Sequence, residues 1–477
     1  MNSLQKPAVF EALQPASVWA HFATLCAMPR PSKGEARLRE HLTAWAQTRG
    51  LATSVDAVGN LIVRKPASAG REAVPGLVLQ CHLDMVCQAN AATTHDFRQD
   101  PITPVLRDGW LVAEATTLGA DNGIGVALML AVLEDPELVH GPIEALFTVD
   151  EEAGMGGARG LAADVLQGRL MLNLDTEEWG EFYLGCAGGL DVNVERPGES
   201  ESLPAEMEVF RIRLNGLRGG HSGVNIHEER GNAIKLLVRV LCDLDKSLSF
   251  RLAALNGGTA RNALPREAMA LVAIKPEESA HLESLLADWQ NRLQESLAGV
   301  ESGIALRLEK AEASHVLSEN DQRLWLNTLN AAPHGVWRMS QRVPGVVDSS
   351  NNLGMVDVQP AHGQCNFMVR SLRMAEAEAL GAEIASLWAL TATPLEMNGH
   401  YPGWAPNPDS PLLAVCQSVY RREFKADSCV KVIHAGLECG LIGDKYPGMD
   451  IVSFGPTIRG AHAPGEAVEI ASVGHVW

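Results

Sequence analysis

The sequence predicts an α/β protein built around a mixed sheet, with a second α/β segment inserted into it. Three observations support this class. Up to residue 187, short apolar strands alternate with helical segments, an order typical of sheets with parallel pairing. Between residues 188 and 400 the strands become longer and alternating, with amphipathic helices between them. From residue 401 to residue 477 the chain returns to the first pattern.

Residues 1–187 are predicted to contain three helices, over 17–30, 34–50 and 121–135, where apolar residues recur at helical spacing. The third segment is apolar almost all round and stops before Pro136, as a buried helix does. Two strands within 51–65 are joined at the turn pair Gly59-Asn60. Further strands are expected over 76–86, 142–150 and 169–175.

Residues 188–400 show a strand, helix, strands, helix, strand order that resembles a split β-α-β unit. The strands are expected over 207–217 and 267–275, with helices over 231–244 and 278–293. A second set follows over 321–333, 363–372 and 376–390, so we expect two α/β lobes. The Pro- and Gly-rich segment 398–411 is interpreted as a linker back to the first domain.

Composition narrows the class of protein. With 477 residues, 46% hydrophobic and 20% charged, the chain can form two or three domains with sizeable cores. A net charge of −19 argues against partners that are nucleic acids or anionic membranes. The N-terminal segment MNSLQKPAVFEALQPAS lacks a basic head followed by an apolar core, so no signal peptide is expected. Nine scattered cysteines without a CxxC pair indicate reduced thiols and a cytoplasmic protein.

Histidines and acids follow several of the apolar segments. Because the carboxyl ends of strands in an open α/β sheet line the ligand crevice, these side chains are expected to converge. They are His82 and Asp84, Asp121, the triplet Asp150-Glu151-Glu152, Asp175 and His462.

Each of these positions also has a structural interpretation. Asp121 suits the N-cap of the helix that follows it, and the triplet suits the first turn of a helix. Asp175 could open a solvated loop, and His462 could be an exposed loop histidine. Five such positions in one α/β framework favour a shared chemical role over five unrelated ones.

A pair of zinc-like cations explains the set. His82 and His462 offer one imidazole to each ion, one aspartate can bridge, and one further carboxylate completes each side. The second acid of the Glu-Glu pair is then available as a base, and Asp84 can orient His82. On this hypothesis three consecutive acids are tolerated because cations neutralise them.

At five places the sequence resembles the dizinc aminopeptidase/carboxypeptidase clan, and within it the family of carnosinases, aminoacylases and tripeptidases. They are His82-Leu83-Asp84, Gly119-Ala120-Asp121-Asn122-Gly123, Asp150-Glu151-Glu152, Asp175 and Gly460-Ala461-His462. The resemblance extends over nearly the whole chain and implies a dizinc exopeptidase domain interrupted by a lid. The passages QCHLDMVCQ, LGADNGIG, DEEAGMGGARGL and GLRGGHSGVNI narrow it to bacterial dipeptidases of this family.

The resemblance implies a role for each residue of the set. His82 and Asp175 would bind one metal ion, Glu152 and His462 the other, and Asp121 would bridge them. Asp84 would support the site and Glu151 would act as the general base. Zn is the expected metal, with Mn or Co as alternatives, since an oxygen- and nitrogen-rich donor set accepts several first-row ions. In the family the peptide bond after the bridging Asp is often cis.

The resemblance also assigns residues of the inserted lid. His221 would stabilise the tetrahedral oxyanion, while Asn262 and Arg370 would hold the substrate carboxylate. Small peptides, including Xaa-His dipeptides, are the implied substrates, and a homodimer is the family precedent. His434 and Glu438 lie in a Gly-rich segment, where Glu438 could pair with a free amino terminus. Its alternatives are a structural ion pair or an exposed loop acid.

Three functions are consistent with these residues. The first is a metal-dependent dipeptidase. The second is an N-acyl amino acid amidohydrolase, which needs the same metals but a site for a blocked amine. The third, of a different class, is a peptide-interaction protein whose metal site is inactive. The presence of every expected ligand and of Glu151 speaks against the third.

Overall fold

The computed structural model describes residues 8–477, so the first seven residues of the segment in which no signal peptide is expected lie outside the described residues. The chain divides into two compact units. Unit 1 comprises Met1–Gly185, Pro406–Val432 and Leu437–Trp477, and unit 2 comprises Cys186–Ala405 and Ile433–Gly436. None of the described helices is both long and apolar enough to cross a bilayer. No disulfide joins the nine cysteines, all of which lie within the described residues.

Strands and helices alternate up to Cys186, as predicted. The helices are α1 (Ala16–Cys26), α2 (Ala36–Gln47), α3 (Ala120–Glu134) and α4 (Gly156–Gly160). The strands are β1 (Ala52–Val55), β2 (Leu61–Lys65), β3 (Leu77–His82), β4 (Val105–Arg107), β5 (Trp110–Val112), β6 (Ile143–Thr148), β7 (Leu170–Asn173) and β8 (Glu181–Cys186).

Unit 2 consists mainly of strands, several of which are long. They are β9 (Gly188–Pro197), β10 (Ser200–Ser202), β11 (Glu208–Asn215), β12 (Arg251–Gly257), β13 (Ala268–Ile274), β14 (Ala305–Ala311), β15 (His315–Leu317), β16 (Gly335–Met339), β17 (Val347–Gln359), β18 (His362–Ser371) and β19 (Leu395–Tyr401). Its helices are α5 (Ala233–Leu244), α6 (Ser279–Ser296), α7 (Glu319–Ala331) and α8 (Met374–Ala389).

The rest of the chain returns to short elements, most of which complete unit 1. They are α9 (Pro411–Phe424), β20 (Cys429–Ile433), α10 (Glu438–Lys445), β21 (Asp450–Ser453), β22 (Ile458–Arg459), β23 (Ala467–Glu469) and α11 (Ile470–Val476).

The main sheet of unit 1 is mixed, in the order β1-β2-β6-β3-β7-β21-β8-β20. Strand β3 runs parallel to β6 and β7, and β21 runs parallel to β7. Strand β2 pairs antiparallel with β1 and β6, and β8 pairs antiparallel with β21. The carboxyl ends of β3, β6 and β7 therefore meet at one edge of the sheet. A smaller sheet has the order β22-β23-β5-β4.

Helix α3 is buried along its length, which its almost continuous apolar sequence predicts. It packs against α1 and β3. The approach is close at Gly123, where an added Cβ would lie 2.9 Å from the Phe22 ring. This packing fixes the amino end of α3, which carries Asp121.

Unit 2 is organised around one sheet in the order β14-β11-β13-β12-β17-β18-β9-β19, with β16 paired to β17. The two predicted lobes thus share a continuous sheet, because β12 of the first pairs with β17 of the second. Helices from both lobes contribute to one apolar core, for example through Leu237, Leu286, Trp325 and Trp388.

The predicted linker over 398–411 is wrong in its first four residues and in its last, because Pro411 begins α9. Asn398 and Tyr401 belong to β19 and pair with Asp191 and Gly189 of β9. The register shifts between Asn398 and Tyr401, and Gly399 there has a φ of 64°. The glycine accommodates an irregularity within a strand, which a Gly- and Pro-rich sequence does not distinguish from a linker.

Candidate metal centre

The parallel strands of unit 1 bring three of the candidate segments to one edge of the sheet. His82 is the last residue of β3 and lies opposite Thr148 at the end of β6. The triplet Asp150-Glu151-Glu152 follows Thr148 after a single residue, Val149. Strand β7 ends at Asn173, two residues before Asp175. The convergence of these side chains therefore follows from the parallel register of three short strands.

Asp121 lies between the two histidines. Its Oδ1 is 3.1 Å from His82 Nε2, and its Oδ2 is 3.1 Å from His462 Nε2. A further acid completes each side, since Asp175 Oδ1 is 3.3 Å from His82 Nε2 and Glu152 Oε1 is 3.2 Å from His462 Nε2. The five side chains form two imidazole–carboxylate groups that share one aspartate.

These distances fit a metal site. Nitrogen and oxygen ligands lie about 2.0–2.1 Å from a zinc-like ion, and donors at the corners of such a tetrahedron are about 3.3–3.4 Å apart. The donor pairs here are 3.1–3.3 Å apart. One ligand atom each from His82, Asp121 and Glu152 also lies within 4.8 Å of the other two. The donor set suits a first-row divalent cation.

The backbone around His82 selects the nitrogen that faces the cluster. His82 Nδ1 is 3.1 Å from the carbonyl oxygen of Asp84, which can only accept a hydrogen bond. Nδ1 therefore donates to this carbonyl, and Nε2 is the nitrogen that faces Asp121 and Asp175. A histidine held by a carbonyl in this way is oriented as a metal ligand.

The Asp84 carboxylate holds the acid triplet. Its Oδ1 accepts the N–H of Glu151 at 3.0 Å, and its Oδ2 accepts the N–H of Glu152 at 3.1 Å and the hydroxyl of Ser32 at 2.7 Å. Burial opposes its ionisation, but its hydrogen bond and attraction to His82, with these donors, lower the pKa of Asp84 to about 2. The side chain is a permanent anion that fixes the turn bearing Glu151 and Glu152.

The cluster attracts positive charge. Burial opposes the charged imidazole of His82, yet Asp175 and the neighbouring acids raise its pKa well above the usual value. Hydrogen bonds to Asp121 and Glu152 raise the pKa of His462 to about 11. Burial, partly offset by His82, raises the pKa of Asp175 to about 6. Carboxylates that hold protons on the neighbouring imidazoles also attract metal cations, and protons and cations compete for the same imidazole nitrogens.

Glu151 has the electrostatic setting of a base. Burial is the main cause that raises the pKa of its carboxyl well above the usual range, and Asp175, Glu438 and Glu152 add to it. A carboxylate with a raised pKa accepts a proton more readily near neutral pH.

Three structural interpretations from the sequence are wrong. Helix α3 has Gly119 at its N-cap position and no side-chain cap, so Asp121 does not cap it. The acid triplet lies in a turn before α4, not in the first turn of a helix. Asp175 is likewise not solvated, since its side chain is 6% exposed. The Asp121–Asn122 peptide bond is cis, as the resemblance implies.

The predicted lid residues lie together in unit 2. His221 Nδ1 accepts the backbone N–H groups of Gly223 at 3.1 Å and Val224 at 3.0 Å, whereas Nε2 has one longer contact, 3.4 Å, with Nη2 of Arg370. Because Nδ1 has the two shorter hydrogen bonds, the proton of the neutral ring is assigned to Nε2. Burial, and then the Arg370 charge, lower the pKa of His221 to about 4. The imidazole is therefore a neutral hydrogen-bond donor through Nε2.

Arg370 and Asn262 adjoin His221 in different ways. Arg370 is buried, and it donates to Tyr401 Oη at 2.8 Å and to Ser222 Oγ at 3.3 Å. Asn262 is exposed, and its backbone carbonyl accepts the backbone N–H of Ser222 at 2.8 Å. A β-bridge between His221 and Ala263 connects the two loops.

His434 and Glu438 fall in different units. Nε2 of the buried His434 is 2.8 Å from Ser350 Oγ, within unit 2. Glu438 is fully buried in unit 1, where its Oε2 accepts from Thr148 Oγ1 at 2.6 Å and Gln80 Nε2 at 2.7 Å. The hypothesis of an exposed loop acid at Glu438 is wrong, because the residue begins α10 inside unit 1.

Three residues that contact the site were not predicted from the sequence. Ser32 donates to Asp84, Asn122 Nδ2 donates to Asp175, and Glu466 binds the backbone around Asp121. Asn122 had a usable signal, since it follows Asp121 in the recognised motif. Ser32 and Glu466 lie in loops where a buried polar residue looks like a solvated one.

A shared aspartate between two imidazole–acid pairs, at the carboxyl edge of a mixed α/β sheet, defines the class of a metal-dependent hydrolase. Two family models match the sequence. The model of the peptidase dimerisation domain matches residues 212–301, and that of peptidase family M28 matches residues 60–195.

Full-length relatives specify the family. The cytosol non-specific dipeptidase of Escherichia coli strain K12 is 45% identical, over 98% of this chain and 96% of its own length. The crystal structure of aminoacylhistidine dipeptidase from Vibrio alginolyticus matches with a TM-score of 0.90 and 42% identity, over 98% of this chain and 96% of that one. Aminopeptidase PepT from Bacillus cereus shares the fold, with a TM-score of 0.57 and 17% identity over 97% and 96% of the two chains.

The chain therefore belongs to the family of cytosol non-specific dipeptidases, or aminoacylhistidine dipeptidases, which confirms the resemblance stated from the sequence. Membership implies the use of a divalent metal, and the cluster around Asp121 is the candidate site.

Proposed function

We propose that the protein is a metallo-dipeptidase that hydrolyses unblocked dipeptides, including Xaa-His, with two divalent cations, of which Zn is favoured over Mn or Co. The observation that carries the proposal is Asp121, whose two carboxylate oxygens each lie 3.1 Å from a histidine paired with a further acid. This arrangement of Asp121 is found in a chain that is 45% identical to a cytosol non-specific dipeptidase over 98% of its length.

His82, Asp175 and one oxygen of Asp121 would hold one cation, and His462, Glu152 and the other oxygen would hold the second. When bound, such ions lower the pKa of a water from 15.7 to about 7 and polarise the substrate carbonyl. Glu151 takes the proton of the attacking water and passes it to the leaving amine. Its raised pKa supports this role, and Asp84 holds its backbone in place.

Three further roles, for residues of unit 2, are proposed from the family resemblance. His221 donates its Nε2–H to the oxyanion, a role that its neutral donor tautomer supports. Arg370 and Asn262 bind the carboxylate of the substrate, for which a guanidinium is a natural partner. On this proposal unit 2 is the lid and substrate-binding domain and unit 1 is the catalytic domain. The sequence predicts the lid as segment 188–400 and the catalytic domain as segments 1–187 and 401–477.

Two broader properties are proposed from the comparisons. The E. coli relative is described as cytosolic, so we place this protein in the cytoplasm. The match to a peptidase dimerisation domain over residues 212–301 supports a homodimer.

A dipeptidase and an N-acyl amino acid amidohydrolase differ in whether the site accepts a substrate with a free amino terminus. We expect kcat/KM for a dipeptide with a free amino terminus to exceed that for its N-acetylated form by roughly 10²-fold or more, because a site built for a polar group rejects ligands that leave it unpaired. Hydrolysis assays on both forms, with Xaa-His and Xaa-Leu series, measure the preference. Faster cleavage of the acetylated forms would assign the chain to the amidohydrolases, and no turnover of either by the metal-loaded protein would favour an interaction protein.

The same assay decides the role of Glu438. Pairing with the substrate amine predicts that Glu438→Gln loses the preference for unblocked dipeptides. A structural role predicts an unchanged preference and KM with a lower melting temperature. The full burial of Glu438 and its hydrogen bonds to Thr148 and Gln80 favour the structural role.

A further inference from the structure

Glu466 is a buried acid that the proposed chemistry does not use. It is 2% exposed, and its carboxylate accepts four consecutive backbone N–H groups. Oε2 accepts those of Leu118 at 2.7 Å and Gly119 at 2.9 Å, while Oε1 accepts those of Ala120 at 2.8 Å and Asp121 at 3.2 Å. Charge-assisted bonds to backbone N–H groups are among the stronger hydrogen bonds in proteins. Glu466 thus holds the segment that ends at the shared aspartate.

Glu466 also belongs to the loop that carries His462. The backbone of this loop is joined to the segment before Asp121, since Gly465 N–H donates to the Ala113 carbonyl at 2.9 Å and Ala113 N–H donates to the Glu466 carbonyl at 3.1 Å. The side chain and the backbone of Glu466 therefore connect the two segments that supply Asp121 and His462.

Arg30 holds the same segment from the other side. Its buried guanidinium donates to the carbonyls of Leu83 at 2.9 Å and Asp84 at 2.8 Å, and also to the carbonyl of Gly119. Gly119 thus gives its N–H to Glu466 and its carbonyl to Arg30. It has a φ of 70°, which residues other than glycine rarely adopt, and an added Cβ would lie 2.8 Å from Met85 Sδ. The carboxyl end of β3 is tied in this way to the Asp121 segment.

Capping of α3 alone does not explain this arrangement. An N-cap satisfies the first free N–H groups of a helix, whereas two of the four donors here, on Leu118 and Gly119, precede α3. The loop of Glu466 also supplies a side chain of the cluster, His462. A carboxylate that only capped a helix could come from any neighbouring element.

We propose that Glu466 is a positioning residue that sets the separation of Asp121 and His462, and through it the affinity for the cation that these two residues share with Glu152. The inference rests on the metal centre of the proposed function. In Glu466→Gln, one of the two carboxylate oxygens becomes an NH₂ group, which cannot accept from the backbone N–H groups it faces.

Titration of the metal-free full-length protein with Co²⁺ tests the proposal. We expect Glu466→Gln to raise the Kd of one of two Co²⁺ equivalents roughly 10- to 100-fold, the usual effect of losing a group that orients metal ligands. The visible absorption of that bound Co²⁺ should also change. Glu144→Gln is the matched control, because Glu144 is a buried acid at the start of β6 that accepts the N–H groups of Gln167 at 2.7 Å and Gly168 at 2.8 Å. It should lower the melting temperature of the metal-free protein without changing the Co²⁺ spectrum.

The outcomes separate the inference from the function on which it rests. If the wild-type protein binds no Co²⁺, the proposed function fails and the inference with it. Unchanged affinity and spectrum in Glu466→Gln, or equal losses in Glu144→Gln, overturn the inference alone. Should Glu466→Gln not fold, Glu466→Asp is titrated instead. Failure of both variants to fold would assign Glu466 to folding and overturn the proposal.

Discussion

Glu151→Gln should retain both metal ions and lose roughly 10²–10⁴-fold in kcat, because the amide cannot take a proton from water. The backbone N–H of residue 151 would still donate to Asp84, so the turn and the neighbouring ligand Glu152 should stay in place. Steady-state kinetics on an unblocked dipeptide, combined with metal analysis of the same preparation, measure both properties.

Glu137→Gln provides the control for this substitution, since Glu137 is an exposed acid between α3 and β6. It should leave kcat unchanged. Near-normal turnover by metal-replete Glu151→Gln would remove Glu151 from the role of base. Loss of metal together with activity would instead assign Glu151 to the ligands.

His221→Ala should lower kcat by roughly 10²–10³-fold, the usual cost of removing one donor to an oxyanion. Two backbone N–H groups occupy Nδ1 of His221 and leave Nε2–H as the donor. His227→Ala is the control, because His227 is an exposed histidine six residues away. Equal kcat in wild type and His221→Ala would contradict the assignment.

The same pair of proteins tests the charge of His221. Since burial and then Arg370 lower its pKa to about 4, its imidazole is neutral throughout pH 5–8. The ratio of wild-type to His221→Ala kcat should therefore stay constant across that range. A ratio that changes near pH 6.5 would show that His221 titrates with its ordinary value.

The candidate metal centre was the part of the site that could best be predicted from the sequence. His82, Asp175 and the acid triplet each follow an apolar strand, and parallel strands present their carboxyl ends at one edge. Nothing in the local pattern placed Asp121 between two histidines. Only its place in a recognised motif distinguished it from an N-cap.

Strands whose buried side chains are polar were harder to predict from the sequence. Strand β17 begins Val-Asp-Ser-Ser-Asn-Asn, and these residues are buried without apolar alternation. Their partners are distant in sequence. Ser350 contacts His434, and Asn352 Nδ2 donates to the carbonyls of Arg261 and Ala263. Burial of such side chains is stabilised by hydrogen bonds that no local pattern encodes.

The acids Glu438 and Glu466 illustrate the same limit. Both lie near glycines, where an acid is usually solvated, yet both are buried and bonded to groups more than 280 positions away. The sequence therefore predicts which acids follow strands, but not which loop acids turn inward.

The central claim is that His82, Asp121, Glu152, Asp175 and His462 together bind two adjacent cations. Anomalous diffraction at the zinc edge from crystals of the zinc-loaded protein tests it most directly. We expect two peaks about 3.5–4 Å apart, one beside His82 and one beside His462, with Asp121 between them. A single peak, or peaks away from the Asp121 carboxylate, would contradict it.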